Sequence, residues 1–332
     1  MIRNISFQLN ANMNIMLGFI LLNIIMTAAV QCQRNLFADI VTSRCIQWTV
    51  THNITNVSCQ EVWSSFEKIL LSIRNQSECI VKPHLFDDFV RQMFEMQQQP
   101  IQSDQYFHSQ VINVIRGMCK RLGVCRSLET TFPGYLFDEL NWCNDSLIYN
   151  ADYETVCKCN YNNGVVNAFW QSASTEYARR ATGTIFVVLN GSVKLPFDEN
   201  RTFGSIELPQ LKYPKVKQLI VKLIHDLEDT IPRHTCESTN LLRFASKVNS
   251  SYISFSCIND PLEFKHYQCI KNPLNKHCQF SSSASSKRFK TLVLHSTLFI
   301  CLIINSFYRL NYYFRKIITK QKIKILENIM HI

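Results

Sequence analysis

Apolar positions in the first half of the chain recur at intervals of three and four residues. Within residues 59–70, Val62, Phe66, Ile69 and Leu70 share one face of a helical period, and Ser58 stands in front as an N-cap. Residues 86–96 and 107–118 repeat that spacing, with Pro83 and Pro100 as punctuation, so the segment reads as helix-rich. After Trp170 the pattern changes. Residues 168–181 keep the helical period, but 185–189, 216–225 and 253–257 are short continuous apolar runs of the kind buried on both faces of a sheet. Of these, 216–225 fits a strand or a helix. The pattern predicts an α+β fold: a helix-rich N-terminal subdomain, 31–163, packed on an α/β subdomain, 164–280, whose small, mostly parallel sheet is flanked by helices. Residues 160–164, Asn-Tyr-Asn-Asn-Gly, break both periods and mark the boundary.

The two ends depart from this scheme. Residues 13–30 are an apolar run closed by Thr27, Ala28 and Ala29, so 1–30 read as a signal peptide cleaved near Ala29 or, alternatively, as an uncleaved anchor. Residues 281–286, all Ser or Ala, lead through Lys287, Arg288 and Lys290 into an apolar run over 291–307, the parts of a glycolipid-anchor signal. The basic segment 309–332 that follows suits a single span with a cytoplasmic tail instead, although His295 and Asn305 make that span a poor one. Either reading of 281–332 places the folded part at the cell surface, on the outer face of a membrane.

Charge and cysteines narrow the class. The formal net charge of +10 sits mostly at the ends: residues 287–332 hold nine Lys or Arg against one Glu, and Arg3 adds one more. The folded span is near neutral and has no electrostatic footprint for nucleic acid. Fourteen cysteines behind an export-type N-terminus predict a disulfide framework, and setting aside Cys32 and Cys301 in the end segments leaves an even twelve. No Cys-x-x-Cys pair occurs and the one close pair is Cys157 and Cys159, so zinc is not expected. Acceptor sequences for N-glycosylation at Asn53, Asn56, Asn75, Asn144, Asn190, Asn200 and Asn249 agree with export.

Several chemistries are excluded cheaply. The eight glycines include no Gly-x-Gly, which rules out a dinucleotide fingerprint, and neither Gly-x-Ser-x-Gly nor His-Glu-x-x-His is present. What remains is a carboxylate, Glu207, ending Thr202-Phe203-Gly204-Ser205-Ile206-Glu207, a short loop beyond the strand-like run at 184–189. Such an acid is most often simply solvated. Trp170, Glu129 and Asp138 upstream give it potential company.

The ordered motifs Asn141-Trp142-Cys143, Ala168-Phe169-Trp170, Leu189-Asn190-Gly191-Ser192, Thr202 to Glu207, and Gln268-Cys269-Ile270-Lys271-Asn272-Pro273 resemble those of the ADP-ribosyl cyclase family. These ectoenzymes cleave NAD at the nicotinamide–ribose bond, and the resemblance covers residues 45–278. It implies that Glu207 is catalytic. A carboxylate near the ribose stabilises the developing oxocarbenium ion, and nicotinamide departs neutral, so no strong general acid is required. Trp170 corresponds to an aromatic wall of the substrate pocket, although a core position is the ordinary role of a helical Trp. Glu129 corresponds to an acid near the nicotinamide that influences hydrolysis against cyclisation, Asp138 to a carboxylate beside the nicotinamide amide, and Ser174, Thr202 and Phe203 to residues lining the diphosphate and ribose. NAD is then the substrate, and no resident cofactor or metal is implied.

One departure from the family pattern bears on the product. Where the family usually has Trp-Ser, this chain has His108-Ser109, and Gln110 stands where an Arg is common, which removes a potential phosphate contact. A smaller, more hydrated imidazole should fold the adenine back and exclude water less well than an indole. The expectation is an NAD glycohydrolase making ADP-ribose with little cyclisation; a true cyclase and a catalytically silent surface receptor are the rivals. A one-residue slip in register would instead make Phe107 the pocket aromatic and His108 a surface residue. The resemblance also implies the disulfides Cys45–Cys59, Cys143–Cys157, Cys79–Cys159, Cys236–Cys257 and Cys269–Cys278. It leaves Gln102 and Thr182 at the positions of a missing bridge, and Cys119 and Cys125 free to pair locally.

Overall fold

Four strands line up as one parallel sheet in the order β1-β2-β3-β4 in the computed structural model, which describes residues 36–74, 80–97, 105–143, 164–229 and 232–278. The strands are β1 (Gln105–Ser109), β2 (Gly183–Asn190), β3 (Val216–Ile224) and β4 (Ser254–Asn259). In register, Phe107 pairs with Val187, Val187 with Val221, and Val221 with Cys257. The ambiguous run at 216–225 is thus a strand, buried in the middle of the sheet.

The sheet is covered on both faces, as a parallel sheet requires. Phe107, Val187, Leu189, Leu219, Val221 and Leu223 enter the main core, together with Phe37, Phe66, Phe86 and Trp142 from the helical part of the chain. Val188 and Ile224 enter a second, smaller core with Ile115, Phe264 and Tyr267. Beside that second core lies an aromatic-walled lysine. Lys222 is 7% exposed, and its Nζ donates to Tyr106 Oη at 2.6 Å and Glu263 Oε1 at 2.8 Å, over the Phe186 ring at 4.3 Å. The hydrogen bonds and the ring faces together offset the cost of burying the ammonium group.

The helices are α1 (residues 36–51), α2 (Cys59–Arg74), α3 (Asp87–Met96), α4 (Ile112–Ile115, continued by a π-helical turn Arg116–Arg121), α5 (Phe132–Phe137), α6 (Val165–Arg179), α7 (Thr239–Asn249) and α8 (Leu262–Lys271). Ser58 caps α2, its Oγ accepting from Glu61 N at 3.3 Å. The described residues through Asn275 form one compact unit, and Lys276–Cys278 make a short 3-10 turn.

The helical spacing over 107–118 conceals a strand. Gln105, Phe107 and Ser109 are buried in the two-residue alternation of β1, Gln110 turns the chain at φ 64°, and the helix starts only at Ile112. Two consecutive elements with opposite periods add up to what reads as one helix, because Gln105 and Ser109 are polar and hide the alternation.

Disulfides join Cys45 to Cys59, Cys119 to Cys125 and Cys236 to Cys257, with Cα separations of 5.6, 4.4 and 5.7 Å. Cys143, Cys269 and Cys278 are also disulfide-bonded, whereas Cys79, Cys157 and Cys159 lie outside the described residues. Among the glycosylation acceptors Asn53, Asn56, Asn200 and Asn249 are exposed and Asn190 is half-buried at the end of β2, while Asn75 and Asn144 lie outside the described residues. The expected signal and anchor segments also lie outside, and no described helix is long and apolar enough to cross a membrane.

Asp138 is fully buried just past α5, in an ion cluster. Arg116 donates to its Oδ1 through Nη2 at 2.6 Å and Nε at 3.0 Å, and Lys120 donates to Oδ2 at 2.7 Å. Arg44 of α1 completes the tie by donating to the Asp138 carbonyl at 2.8 Å. Replacing Asp138 with Asn leaves two cations facing a neutral side chain, so Asp138→Asn should cost about 3 kcal/mol or more of stability. Thermal or urea denaturation measures this directly, and an unchanged midpoint would contradict the cluster's role.

Candidate active site

A cavity of about 470 Å³ opens at the carboxyl end of β1, between α6 and the loop that precedes Glu207. Four segments of sequence build it. From β1 come His108 and Ser109, and α6 contributes Asn167, Trp170, Gln171, Ser174 and Tyr177, which follow the three- and four-residue spacing of one helix face. A 3-10 turn, Leu128–Thr130, presents Glu129, and a π-helical turn, Phe203–Glu207, presents Phe203 and Glu207 with Thr202 just ahead of it.

Both turns are held by close backbone contacts. Thr130 Oγ1 accepts from Ser127 N at 3.0 Å, and a Cβ on Gly134 would sit 1.8 Å from the Leu128 carbonyl oxygen, so α5 approaches the Glu129 turn through a position only glycine fits. In the second turn the Arg201 carbonyl accepts from both the amide and the hydroxyl of Ser205, at 2.8 and 2.9 Å. Phe203 anchors that turn in the core, edge-on to Phe244 at 5.9 Å. A Cβ on Gly204 would lie 2.5 Å from Asp198 O, so this crossing too is made over a glycine.

The electrostatics centre on three side chains. His108 Nε2 donates to Glu129 Oε1 at 3.0 Å, while Glu129 and Glu207 are 5% and 7% exposed. Burial alone would raise Glu129, but the His108 charge and hydrogen bond outweigh it and hold the carboxyl down at about 2. For His108, burial works toward the neutral ring and is overcome by Glu129, with Glu207 adding to the rise. Glu207 behaves differently: burial lifts it to about 7, and the His108 charge and a Ser174 hydrogen bond offset only part of that. Glu129 is therefore a fixed anion, whereas Glu207 titrates near neutrality. Burial and the two carboxylates keep the Tyr177 phenol protonated, with its Oη hydrogen-bonded to the carbonyls of Tyr106 and Arg126 at 3.3 and 3.2 Å.

Eight of the side chains singled out in the sequence, His108, Ser109, Glu129, Trp170, Ser174, Thr202, Phe203 and Glu207, line this one cavity. Trp170 is only partly buried, resting edge-on against Phe169 at 5.2 Å, so it has one side in the core and one on the cavity. Asp138 is the exception: it does not line the cavity, because the cations at Arg116 and Lys120 draw its carboxylate into the ion cluster. Phe107 is 1% exposed and packs on Tyr177 at 4.9 Å, so the hydrogen-bonding partner of Glu129 on this strand is His108. The sequence reading missed Asn167, Gln171, Tyr177 and Arg201. The first three were legible as the face of α6 that carries Trp170; Arg201 carries no periodic signal. Among the described residues no group of His, Cys, Asp or Glu could hold a metal ion.

The fold and cleft define an α+β protein with a buried, near-neutral carboxyl at the carboxyl edge of a parallel sheet. A family model described as ADP-ribosyl cyclase matches residues 34–278, and the chain belongs to that family. ADP-ribosyl cyclase/cyclic ADP-ribose hydrolase 1 of Rattus norvegicus is 28% identical over 250 residues, spanning 74% of this chain and 80% of that protein. The ADP-ribosyl cyclase/cyclic ADP-ribose hydrolase of Aplysia californica is 27% identical over 254 residues, 73% of this chain and 86% of its own. An Aplysia cyclase structure with substrate NGD and product cGDPR shares the fold, with a TM-score of 0.62 at 23% identity over 74% of this chain and 97% of that one. A CD38 structure, presented as evidence for a flexible covalent enzyme–substrate complex, aligns with a TM-score of 0.55 at 26% identity, over 69% of this chain and 93% of that one.

The raised Glu207 carboxyl has a stability consequence with a definite sign. Between its unfolded value of 4.5 and about 7 the folded protein binds the extra proton, so this site's contribution to stability falls as pH rises through that window. Glu207→Gln keeps a neutral polar group in place of the charge. It should therefore raise the melting temperature relative to the parent protein at pH 8, by the equivalent of about 3 kcal/mol at most, and leave it unchanged near pH 4. Equal melting curves at pH 8 would show that the carboxyl is not penalised by burial.

Proposed function

We propose that this cleft cleaves the nicotinamide–ribose bond of NAD at the cell surface, releasing nicotinamide and ADP-ribose with little cyclisation. The observation that carries the reading is the Glu207 carboxyl, buried in one cavity with Trp170 and with Glu129. Cleavage leaves positive charge on the ribose while nicotinamide departs as a neutral base. A carboxylate in a site of low dielectric stabilises that charge far better than one in water. Trp170 offers a flat face on which an aromatic ring of the substrate stacks. Glu129, held ionised by His108 and lining the same cavity, adds a second negative charge that favours the cationic ribose.

The choice of product turns on His108. Its ring lines the cavity and is committed by hydrogen bond to Glu129, so in place of an apolar wall the ribose faces a polar one. Water is thereby favoured over the adenine as the group that captures the ribosyl cation. The disulfides Cys45–Cys59, Cys119–Cys125 and Cys236–Cys257 support residence in an oxidising compartment. The C-terminal segment then serves as the membrane attachment, through a glycolipid or a single span.

Incubation with NAD followed by chromatography tests the assignment. Glu207→Gln should lower nicotinamide release about a thousandfold or more, and undiminished turnover would sink the mechanism. Because the ionised carboxylate is the working form, release by the parent enzyme should climb about tenfold from pH 6 to pH 8, following a group that titrates near 7. In the same assay His108→Trp should increase the cyclic share of the product; an unaltered product ratio would remove His108 from the account.

A further inference from the structure

A dinucleotide carries a diphosphate, and the cleft described above holds two carboxylates. A cation beside the phosphates would offset that repulsion, yet Gln110, just past β1, is neutral and its amide already donates to the Leu195 carbonyl at 3.1 Å. Among the described residues lining the cavity, the sole Lys or Arg is Arg201. We propose that Arg201 is the diphosphate-recognition residue of this enzyme, carried on the loop before Glu207 and not on the strand.

Three observations support that assignment. The backbone of Arg201 is pinned, its amide bonded to Asp198 O at 3.2 Å and its carbonyl accepting twice from Ser205. Its guanidinium makes no hydrogen bond among the described residues, and its ion pair with Asp198 is a loose one, Nε to Oδ2 at 3.9 Å, which leaves the terminal nitrogens free for a ligand. Asp198 also serves the backbone of the same loop, its Oδ1 accepting from Asn200 N at 3.0 Å. A fixed stem, two terminal nitrogens without hydrogen-bond partners among the described residues and a 56% exposed side chain at the cavity wall suit bidentate phosphate binding. The same short loop then delivers both charges the reaction needs, a cation for the diphosphate at Arg201 and the carboxylate for the ribose at Glu207.

This assignment rests on the NAD-cleaving reading, and the two are separated by comparing NAD with nicotinamide riboside, which has the same scissile bond and no phosphate. Arg201→Gln should lower kcat/KM for NAD about tenfold or more relative to that for the riboside, chiefly through KM, and Arg201→Lys should recover part of the difference. As a check independent of turnover, ADP-ribose binding to the Glu207→Gln protein, followed by calorimetry, should weaken by a similar factor when Arg201→Gln is added. An unchanged NAD-to-riboside ratio would place phosphate recognition elsewhere. A parallel loss on both substrates would make Arg201 a support of the turn and overturn the assignment. If the parent enzyme releases nicotinamide from neither substrate, the NAD-cleaving reading itself falls, and this assignment with it.

Discussion

Burial of the Glu207 carboxyl is the constraint on which the rest of the cleft depends. A carboxylate taken out of water is unstable unless something answers its charge, and this protein supplies only a partial answer. His108 lends positive charge from one side, but Glu129 claims the His108 hydrogen bond and stays ionised itself. Glu207 is left poised between its two forms, one that tolerates burial and one that can hold a cationic sugar. The three groups sit on a strand, a 3-10 turn and a π-helical turn that are far apart in sequence. Their balance therefore requires a scaffold that fixes those elements against each other.

That scaffold is aromatic. Phe66 touches Phe137 at a ring separation of 4.5 Å, and Phe137 and Trp142 both close on Phe169, one residue before Trp170. The same packing that buries α5 thus sets the angle of the helix bearing Trp170 and Ser174. On the opposite wall, Phe197 stacks on Phe244 at 4.0 Å while Phe203 meets Phe244 edge-on, so rings anchor the Glu207 turn in the core. Interlocking rings of this kind have few alternative packings, which suits a site whose geometry must not drift.

Much of this was legible from the residues. The helical face of α2, the apolar strand β2, and the association of Glu207 with Trp170 and Glu129 all follow from periodicity or ordered motifs. What escaped did so for identifiable reasons. The strand β1 is masked because two of its three buried positions, Gln105 and Ser109, are polar. Asp138 was readable as a motif carboxylate, but its fate is decided by Arg116 and Lys120, one turn apart on a segment whose π-helical winding no spacing announces. The His108–Glu129 contact joins positions 21 residues apart, and nothing local marks them as partners. Pairings made across a fold are not written in the order of the chain.

The buried Lys222 gives the sheet something that its hydrophobic residues alone do not. A central strand of nine largely aliphatic residues has several alignments of nearly equal burial, and slipping by one position would simply exchange one apolar face for the other. With an ammonium among those residues the alignments are no longer equivalent, because only one of them sets that charge between Tyr106 Oη and Glu263. Lys222 thereby acts as a peg that keys β3 to its place. Since β1 is aligned to β3 through β2, the position of His108 in the cleft is set by a cation that never meets the substrate.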